Sequence, residues 1–249
     1  VPKAIADITV ATSSPASLDA DGLPPPPAEG TLTAAFAKSF FTLFIAAKQK
    51  SGEADLTESE MNDVATQALQ SLSAIAAPAP DYKLMKDLTV SGSGADAMKA
   101  FAVSAEAVLV KNKTSASKSE ILYLKDAIEN NDATAFSHIA SIAKTYRDSA
   151  VGLAVLPVPK ELAADNLMLI NAMMRISGIT SDFARADTDP LATMLALQQY
   201  PQAVLDLANA FIHVGTIYKT AGIVLPAGAP GASFVNLISD VSGGQAKKP

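Results

Sequence analysis

The residue types that most often carry out catalysis or bind metals are sparse in this chain. There are two histidines, His138 and His213, and no cysteine, so the sequence excludes thiol catalysis, disulfide bonds and thiolate metal sites. Neither histidine has a second histidine at the spacing that places two imidazoles on one face of a helix. We therefore interpret both histidines as residues on helix faces rather than as metal ligands.

Acidic stretches and familiar motifs also fail to complete a site. The sequences DADG at 19–22 and DTD at 187–189 begin like a calcium-binding loop, but neither continues to the glutamate that such a loop requires. We interpret them as turns or helix caps. The chain has no G-x-S-x-G elbow, phosphate-binding loop or dinucleotide fingerprint, and its S-x-x-K matches lack their companion motifs. The sequence therefore predicts no catalytic residue, no cofactor and no metal site, and we expect that the protein is not an enzyme.

The composition argues against nucleic acid and a membrane span. The 249-residue chain has a net charge of −6, and its one basic cluster is Lys247 with Lys248. Because nucleic-acid binding needs a basic surface, we expect no nucleic-acid partner. The apolar stretch at 34–47 is shorter than the roughly 20 residues of a membrane-spanning helix. We therefore predict a buried core helix there and no membrane span in the chain.

Apolar periodicity predicts an all-α domain over 31–220, built as a bundle of about six to seven helices. Local start signals support several of them. Thr57 with Glu60 and Ser117 with Glu120 match capping boxes, and Asp132 can cap a third helix. The predicted helices cover about 31–50, 95–111, 133–154 and 190–220, with further helices that begin at Thr57, Ser117 and Pro159.

One helix is more apolar than the others. Within 155–178, Pro157 should end the preceding helix and Pro159 should occupy the first turn of the next one. The apolar arc that follows is broad, so we expect this helix at the centre of the bundle. Asn171 and Arg175 lie four residues apart on it and share a face. For them we favour an interhelical hydrogen bond that fixes the helix register over a binding role.

The last long helix repeats this kind of start. Asp189 is placed to cap it, and Pro190 suits its first turn. Pro201 lies well inside the predicted helix. Because proline lacks an N–H group and crowds the preceding turn, we expect a kink or a break at Pro201.

The two ends of the chain are predicted to be extended arms. Residues 1–30 contain four consecutive prolines, which favour a stiff extended segment, and the alternation in 4–11 permits a short strand. We weigh two interpretations of this arm: a linker to a removed anchor, or an arm that reaches a neighbouring subunit. Residues 221–249 are rich in glycine and proline, and their one apolar stretch is ASFVNLI at 232–238.

Four segments of the sequence, taken together and in this order, resemble segments of other proteins. They are AFAKSFFTLFIAAKQ with LTESE, SKSEILYLKDAIENNDATAF, LPVPKELAADNLMLINAMMRI and DPLATMLALQQYPQAV. Over about 31–220 they resemble a group of uncharacterised secreted or membrane-tethered α-helical proteins of candidate-phyla bacteria. The resemblance implies a location at the cell envelope and an N-terminal export or anchor segment. It implies no activity and no catalytic residue.

We expect from these features a structural subunit of an extracellular or cell-surface assembly, such as a pilus-like filament or an envelope lattice. Its partners would be copies of itself, held through the terminal arms. The alternative is a monomeric binding or adhesion module attached to the envelope. The chain begins with Val1 rather than Met, which we expect from removal of an export segment. The predicted assembly contacts are Ile5, Ile8, Val10, Pro24, Pro25, Pro26, Pro27, Phe234, Val235, Leu237 and Ile238.

Overall fold

A computed structural model of the chain describes residues 26–52, 55–72 and 79–244. Within these ranges there are eight α-helices and no β-strand, which confirms the prediction of an all-α helical bundle. The helices are α1 (Leu32–Lys50), α2 (Glu58–Ser71), α3 (Gly94–Lys111), α4 (Glu120–Glu129), α5 (Thr134–Ala154), α6 (Ala163–Phe183), α7 (Pro190–Thr220) and α8 (Ala232–Gly244).

Several helices begin where the local sequence predicts. The Thr57 hydroxyl accepts a hydrogen bond from the Glu60 N–H at 3.3 Å, and the Glu60 carboxylate accepts one from the Thr57 N–H at 2.8 Å. The capping box of α2 is therefore complete. Asp132 accepts a hydrogen bond from the Thr134 N–H at 3.0 Å, at the start of α5. Both starts depend only on residues that are neighbours in the sequence.

The capping box predicted for α4 is wrong. The Ser117 N–H donates to the phenolic oxygen of Tyr123 at 3.2 Å, and α4 begins at Glu120 itself. Glu120 is buried, and its carboxylate accepts a hydrogen bond from the Tyr146 hydroxyl at 3.4 Å. Burial raises the pKa of Tyr146 to about 12, so the phenol stays protonated and donates this bond between α4 and α5.

Helix α6 lies between α5 and α7, as its broad apolar arc predicts. The chain enters it through Pro157–Pro159 and a short 3₁₀ turn, Lys160–Leu162. Val158 pairs with the segment ahead of α3: its N–H donates to the Thr89 carbonyl and its carbonyl accepts from the Ser91 N–H, both at 2.9 Å. Pro159 therefore precedes the 3₁₀ turn and does not lie in the first turn of α6, where we predicted it, because α6 begins at Ala163. The buried residues of α6 are Ala163, Asn166, Leu169, Ile170, Ala172, Met173, Ile176, Ser177, Ile179, Thr180 and Phe183.

Helix α7 runs without interruption past Pro201, so the predicted break is absent. Pro201 is exposed. Because proline has no N–H group, one carbonyl group in the preceding turn has no helical hydrogen-bond partner. This carbonyl group lies on the solvent side, where water can donate a hydrogen bond to it.

The C-terminal segment that we predicted as a Gly/Pro-rich tail contains helix α8, which packs on α3 and α7. Phe234 is buried between Phe101 and Tyr218, with ring centroids 6.2 and 6.0 Å away. The Glu106 carboxylate of α3 accepts hydrogen bonds from the N–H groups of Gly231 and Ser233 at the start of α8. The helical body therefore extends well beyond residue 220.

The buried side chains form two clusters. The larger cluster joins α3, α5, α6, α7 and α8, and the smaller one joins α4, α5, α6 and α7. No described residue of α1 or α2 belongs to either cluster. These two helices form an antiparallel hairpin that packs mainly on itself.

Candidate functional site

The structure separates the predicted assembly contacts into three groups. Ile5, Ile8, Val10, Pro24 and Pro25 lie outside the described residues.

Pro26 and Pro27 are described and exposed. Phe234, Val235 and Ile238 are buried in the core of their own chain, because the N-terminal half of α8 turns its apolar side onto α3 and α7. They are therefore not available to a second copy in this fold. Leu237, on the outer side of α8, is 40% exposed.

The most exposed apolar element is α1, which has no buried residue. The prediction that 34–47 forms a buried core helix is therefore wrong. One side of α1 packs on α2, and within α1 the rings of Phe40 and Phe44 stack with their centroids 6.3 Å apart. On its outer side, Phe41 is 62% exposed and Ile45 is 54% exposed. Among the described residues, no helix has the length and apolar character needed to cross a lipid bilayer.

The start of α1 is hydrogen-bonded to the body through the Asp189 carboxylate. Asp189 is 2% exposed and accepts hydrogen bonds from the N–H groups of Leu32 at 2.9 Å and Thr33 at 3.0 Å, at the start of α1. It also accepts from the Ala192 N–H, in the first turn of α7. One carboxylate therefore serves the positive ends of two helix dipoles.

The same contacts determine the charge state of Asp189. Burial alone would raise the pKa of the Asp189 carboxyl, but hydrogen bonds from Leu32, Thr33 and Ala192 outweigh it and hold that pKa below its usual range. The sequence predicted the cap on α7. It gave no signal for the bond to α1, which joins residues far apart in the chain.

The two helices of the hairpin carry opposite charge. Helix α1 contains Lys38, Lys48 and Lys50 and no acidic residue, whereas the acidic residues of α2 are Glu58, Glu60 and Asp63, with no basic residue beside them. Near the hairpin tip, Lys48 pairs with Asp55 at 3.1 Å. A basic helix and an acidic helix thus lie side by side in the hairpin.

A second exposed apolar surface follows the outer side of α7. Its residues recur at intervals of three and four, so they lie on one face of the helix. We call this the α7 stripe: Met194, Leu197, Pro201, Val204 and Leu205, all of which are exposed.

Several charged and polar side chains meet in a cleft between α6 and α7. It has a volume of about 310 Å³ and is lined in part by Asp81, Asn171, Arg175, Asp206 and His213. Arg175 pairs with Asp81 at 3.1 Å and lies 3.9 Å from Asp206. The residues that line this cleft include no serine, threonine, cysteine or lysine. The cleft can hold a small polar group, and the side chains that line it are carboxylate, amide, guanidinium, imidazole and apolar groups.

Asn171 forms structural hydrogen bonds, but they are not the interhelical bond that we predicted, because its partner Lys83 lies in the connector between α2 and α3. Its side-chain oxygen accepts from the Lys83 N–H at 2.9 Å, and its side-chain N–H donates to the Lys83 carbonyl at 3.0 Å. Together with the Arg175–Asp81 pair, these bonds hold the connector between α2 and α3 against α6.

The two histidines lie on exposed helix faces. His213 is 3.3 Å from the Asp165 carboxylate, and the ring of His138 stacks on Tyr123 at 4.7 Å. In the part of the chain that the structure describes, no group of three or more His, Cys, Asp or Glu side chains could hold a metal ion.

Comparisons with protein-family models, with curated proteins and with solved structures found no match to this chain.

Proposed function

We propose that this protein is a structural subunit of an extracellular or cell-surface assembly and that its partners are copies of itself. The observation that carries the proposal is the exposed outer side of α1. A chain that buries its other apolar helices in two cores leaves a phenylalanine-rich helix without a buried residue. An apolar surface of this kind is typical of a site of association.

The energetic reason is the cost of leaving large apolar side chains in water. Covering an exposed Phe or Ile side chain fully contributes about 1.5–3 kcal/mol. Phe41 and Ile45 on α1 and Leu69 on α2 are each about half exposed or more. Contact with another copy would remove this surface from water and would stabilise the α1–α2 hairpin, which otherwise depends on α2 and the Asp189 contacts.

The proposed contacts differ from those that the sequence indicated at the C-terminus. Phe234, Val235 and Ile238 are buried in the core of their own chain. Assembly would therefore use exposed helix faces instead of a C-terminal arm. The proline-rich segment that ends at Pro27 remains a proposed second contact. The location at the cell envelope is proposed from the sequence resemblance.

Measurement of particle size tests the proposal. We expect the purified chain, at micromolar concentration, to give species that are multiples of the 25.6 kDa subunit by light scattering after gel filtration. Electron microscopy of the same sample should show regular particles or filaments. A single 25.6 kDa species at all concentrations, with no particles in the images, would contradict the assembly.

A monomeric adhesion or binding module is the second candidate, and the cleft between α6 and α7 favours it. Arg175 at its centre pairs with carboxylates on both sides, and a ligand with charged groups could exchange for one of them. Binding of the monomeric chain to whole envelopes, reduced by Arg175→Ala and unchanged by Arg147→Ala, would support this second function. Arg147 is an exposed arginine on α5.

A further inference from the structure

The α1–α2 hairpin has an exposed apolar strip that crosses both of its helices. The Ser39 and Ser71 hydroxyls form a hydrogen bond of 2.9 Å, which fixes how the two antiparallel helices are aligned. Phe41 follows Ser39 by two residues along α1, and Leu69 precedes Ser71 by two residues along α2. These two residues therefore lie at the same level, and they are 62% and 49% exposed.

Phe41 and Leu69 also lie on the same side of the hairpin. Each directly follows a less exposed residue: Phe41 follows the partly buried Phe40 on α1, and Leu69 follows the fully buried Ala68 on α2. Successive residues of an α-helix are turned by about 100°. When two antiparallel helices pack side by side, the residue after an inward-facing residue points to the same side of the pair on both helices. Phe41, Ile45 and Leu69 therefore form a continuous apolar strip.

We propose that this strip pairs with the same strip of a second copy, so that α1 of each chain packs on α2 of the other and the two hairpins form an antiparallel four-helix bundle. This inference rests on the proposed self-assembly and names its interface. The two hairpin tips would lie at the same end of the bundle. Phe41 of each copy would then face Leu69 of the other.

Charge distinguishes this arrangement from the other twofold pairing. With the tips at opposite ends, α1 would pack on α1, which places lysine-bearing helices together and acidic helices together. With the tips at the same end, each basic α1 lies on an acidic α2. Near the tip, Lys48 would come close to Glu58 of the second copy. Charge complementarity across an interface selects the partner and its orientation.

The size of the surface is sufficient for a second copy. A hairpin side about 25 Å long and about 20 Å wide follows from helix rise and interhelical spacing. Each copy thus contributes roughly 500 Å², and the pair reaches the roughly 1,000 Å² that a specific interface needs. An anionic lipid surface fits less well, because the acidic residues of α2 lie beside the lysines of α1 and would be repelled by it.

Cysteine cross-linking tests the pairing directly, because the chain has no cysteine of its own. Phe41→Cys and Leu69→Cys are made as separate full-length variants, mixed and oxidised. We expect a disulfide dimer that joins Cys at 41 of one chain to Cys at 69 of the other, identified by peptide mass spectrometry. A 41-to-41 bond as the main product would overturn the arrangement. The control is Val224→Cys, at an exposed position after α7, which should give little dimer.

A second measurement does not depend on disulfide formation. Phe41→Ser combined with Ile45→Ser should raise the dissociation constant of the self-associated chain about a hundredfold, with circular dichroism unchanged. Val224→Ser should leave it unchanged. A multimer that tolerates the double substitution would overturn this interface and leave the proposed assembly in place, whereas a wild-type monomer would overturn both. Binding to anionic vesicles without the 41-to-69 cross-link would identify a lipid surface as the occupant and would also overturn the inference.

Discussion

At the scale of single residues, Asp189 has the most concentrated role in the described structure. Its carboxylate caps α7 and also receives the first two N–H groups of α1. The Thr33 hydroxyl adds a third link, since it donates to Asp189 at 2.8 Å and accepts from the Leu191 N–H at 3.1 Å. Two helix starts from distant parts of the chain therefore depend on one side chain.

We expect Asp189→Ala to lower the free energy of unfolding by about 2–3 kcal/mol, because it removes a cap and charged hydrogen bonds at a buried position. Hydrogen exchange should accelerate in α1 before it does in α6. The matched control is Asp187→Ala, which removes an exposed aspartate from the same turn and should change stability by less than about 0.5 kcal/mol. Equal effects of the two substitutions would show that the Asp189 contacts do not hold the hairpin.

The low pKa of Asp189 also predicts how stability depends on pH. Hydrogen bonds lower this pKa in the folded state, so the unfolded chain binds the proton more readily. The contribution of Asp189 is therefore complete above its unfolded pKa, near about 3.9, and is lost as the pH falls through the lower folded value. Unfolding measured between pH 7 and pH 3 should show a smaller loss of stability for Asp189→Asn than for the wild type. An identical pH dependence would contradict this assignment.

At the scale of helices, α8 shows how a short apolar segment becomes part of the core. Gly231 precedes it with a φ of +84°, and a Cβ there would lie 3.0 Å from the Val103 backbone nitrogen. This glycine therefore permits both the turn and the close approach of α8 to α3. Glu106 then accepts the first N–H groups of the helix.

We expect Phe234→Ala to lower the free energy of unfolding by about 3–5 kcal/mol, because it empties a buried site between two aromatic rings. Leu237→Ala, on the exposed side of the same helix, should cost less than about 1 kcal/mol. Chemical denaturation of the two variants measures the difference. If Phe234→Ala were as mild as Leu237→Ala, α8 would not be an integral part of the body.

The helices could be predicted largely from the sequence because their ends depend on neighbouring residues. Thr57, Asp132 and Pro190 act within one turn of the chain, and the structure confirms the starts that they indicate. What covers a helix depends instead on the tertiary fold. Both α1 and α8 have apolar residues at helical spacing, yet α1 has no buried residue, whereas Phe234, Val235 and Ile238 of α8 are buried.

The candidate site was predicted less well for the same reason. Glycine and proline around 221–231 indicated a loose tail, although the turns they form direct α8 back onto its own chain. Phe41 and Leu69, the contacts that we propose, were not among the predicted ones, because the apolar periodicity of 34–47 indicated a buried core helix. A signal was present in the charge pattern, since a core helix seldom contains Lys38 within its apolar run.

At the scale of the whole molecule, the number of contact surfaces on each chain determines whether its copies form a closed pair or an extended assembly. A pair of hairpins related by a twofold axis uses one surface on each chain and closes at two copies. A filament or lattice needs a second surface. The α7 stripe is the next candidate, because its apolar residues follow one face of the longest helix and remain in water.

We therefore expect Leu197→Ser combined with Leu205→Ser to reduce extended assemblies to dimers, because the α7 stripe is interrupted while the hairpin strip is intact. Mass measurement by light scattering and electron microscopy should show twice the 25.6 kDa subunit mass in place of larger particles. The control, Val155→Ser, removes an exposed apolar side chain after α5 and should leave particle size unchanged. Assemblies of wild-type size in the double variant would show that growth beyond the dimer uses another surface, and the proline-rich segment that ends at Pro27 would be the next surface to test.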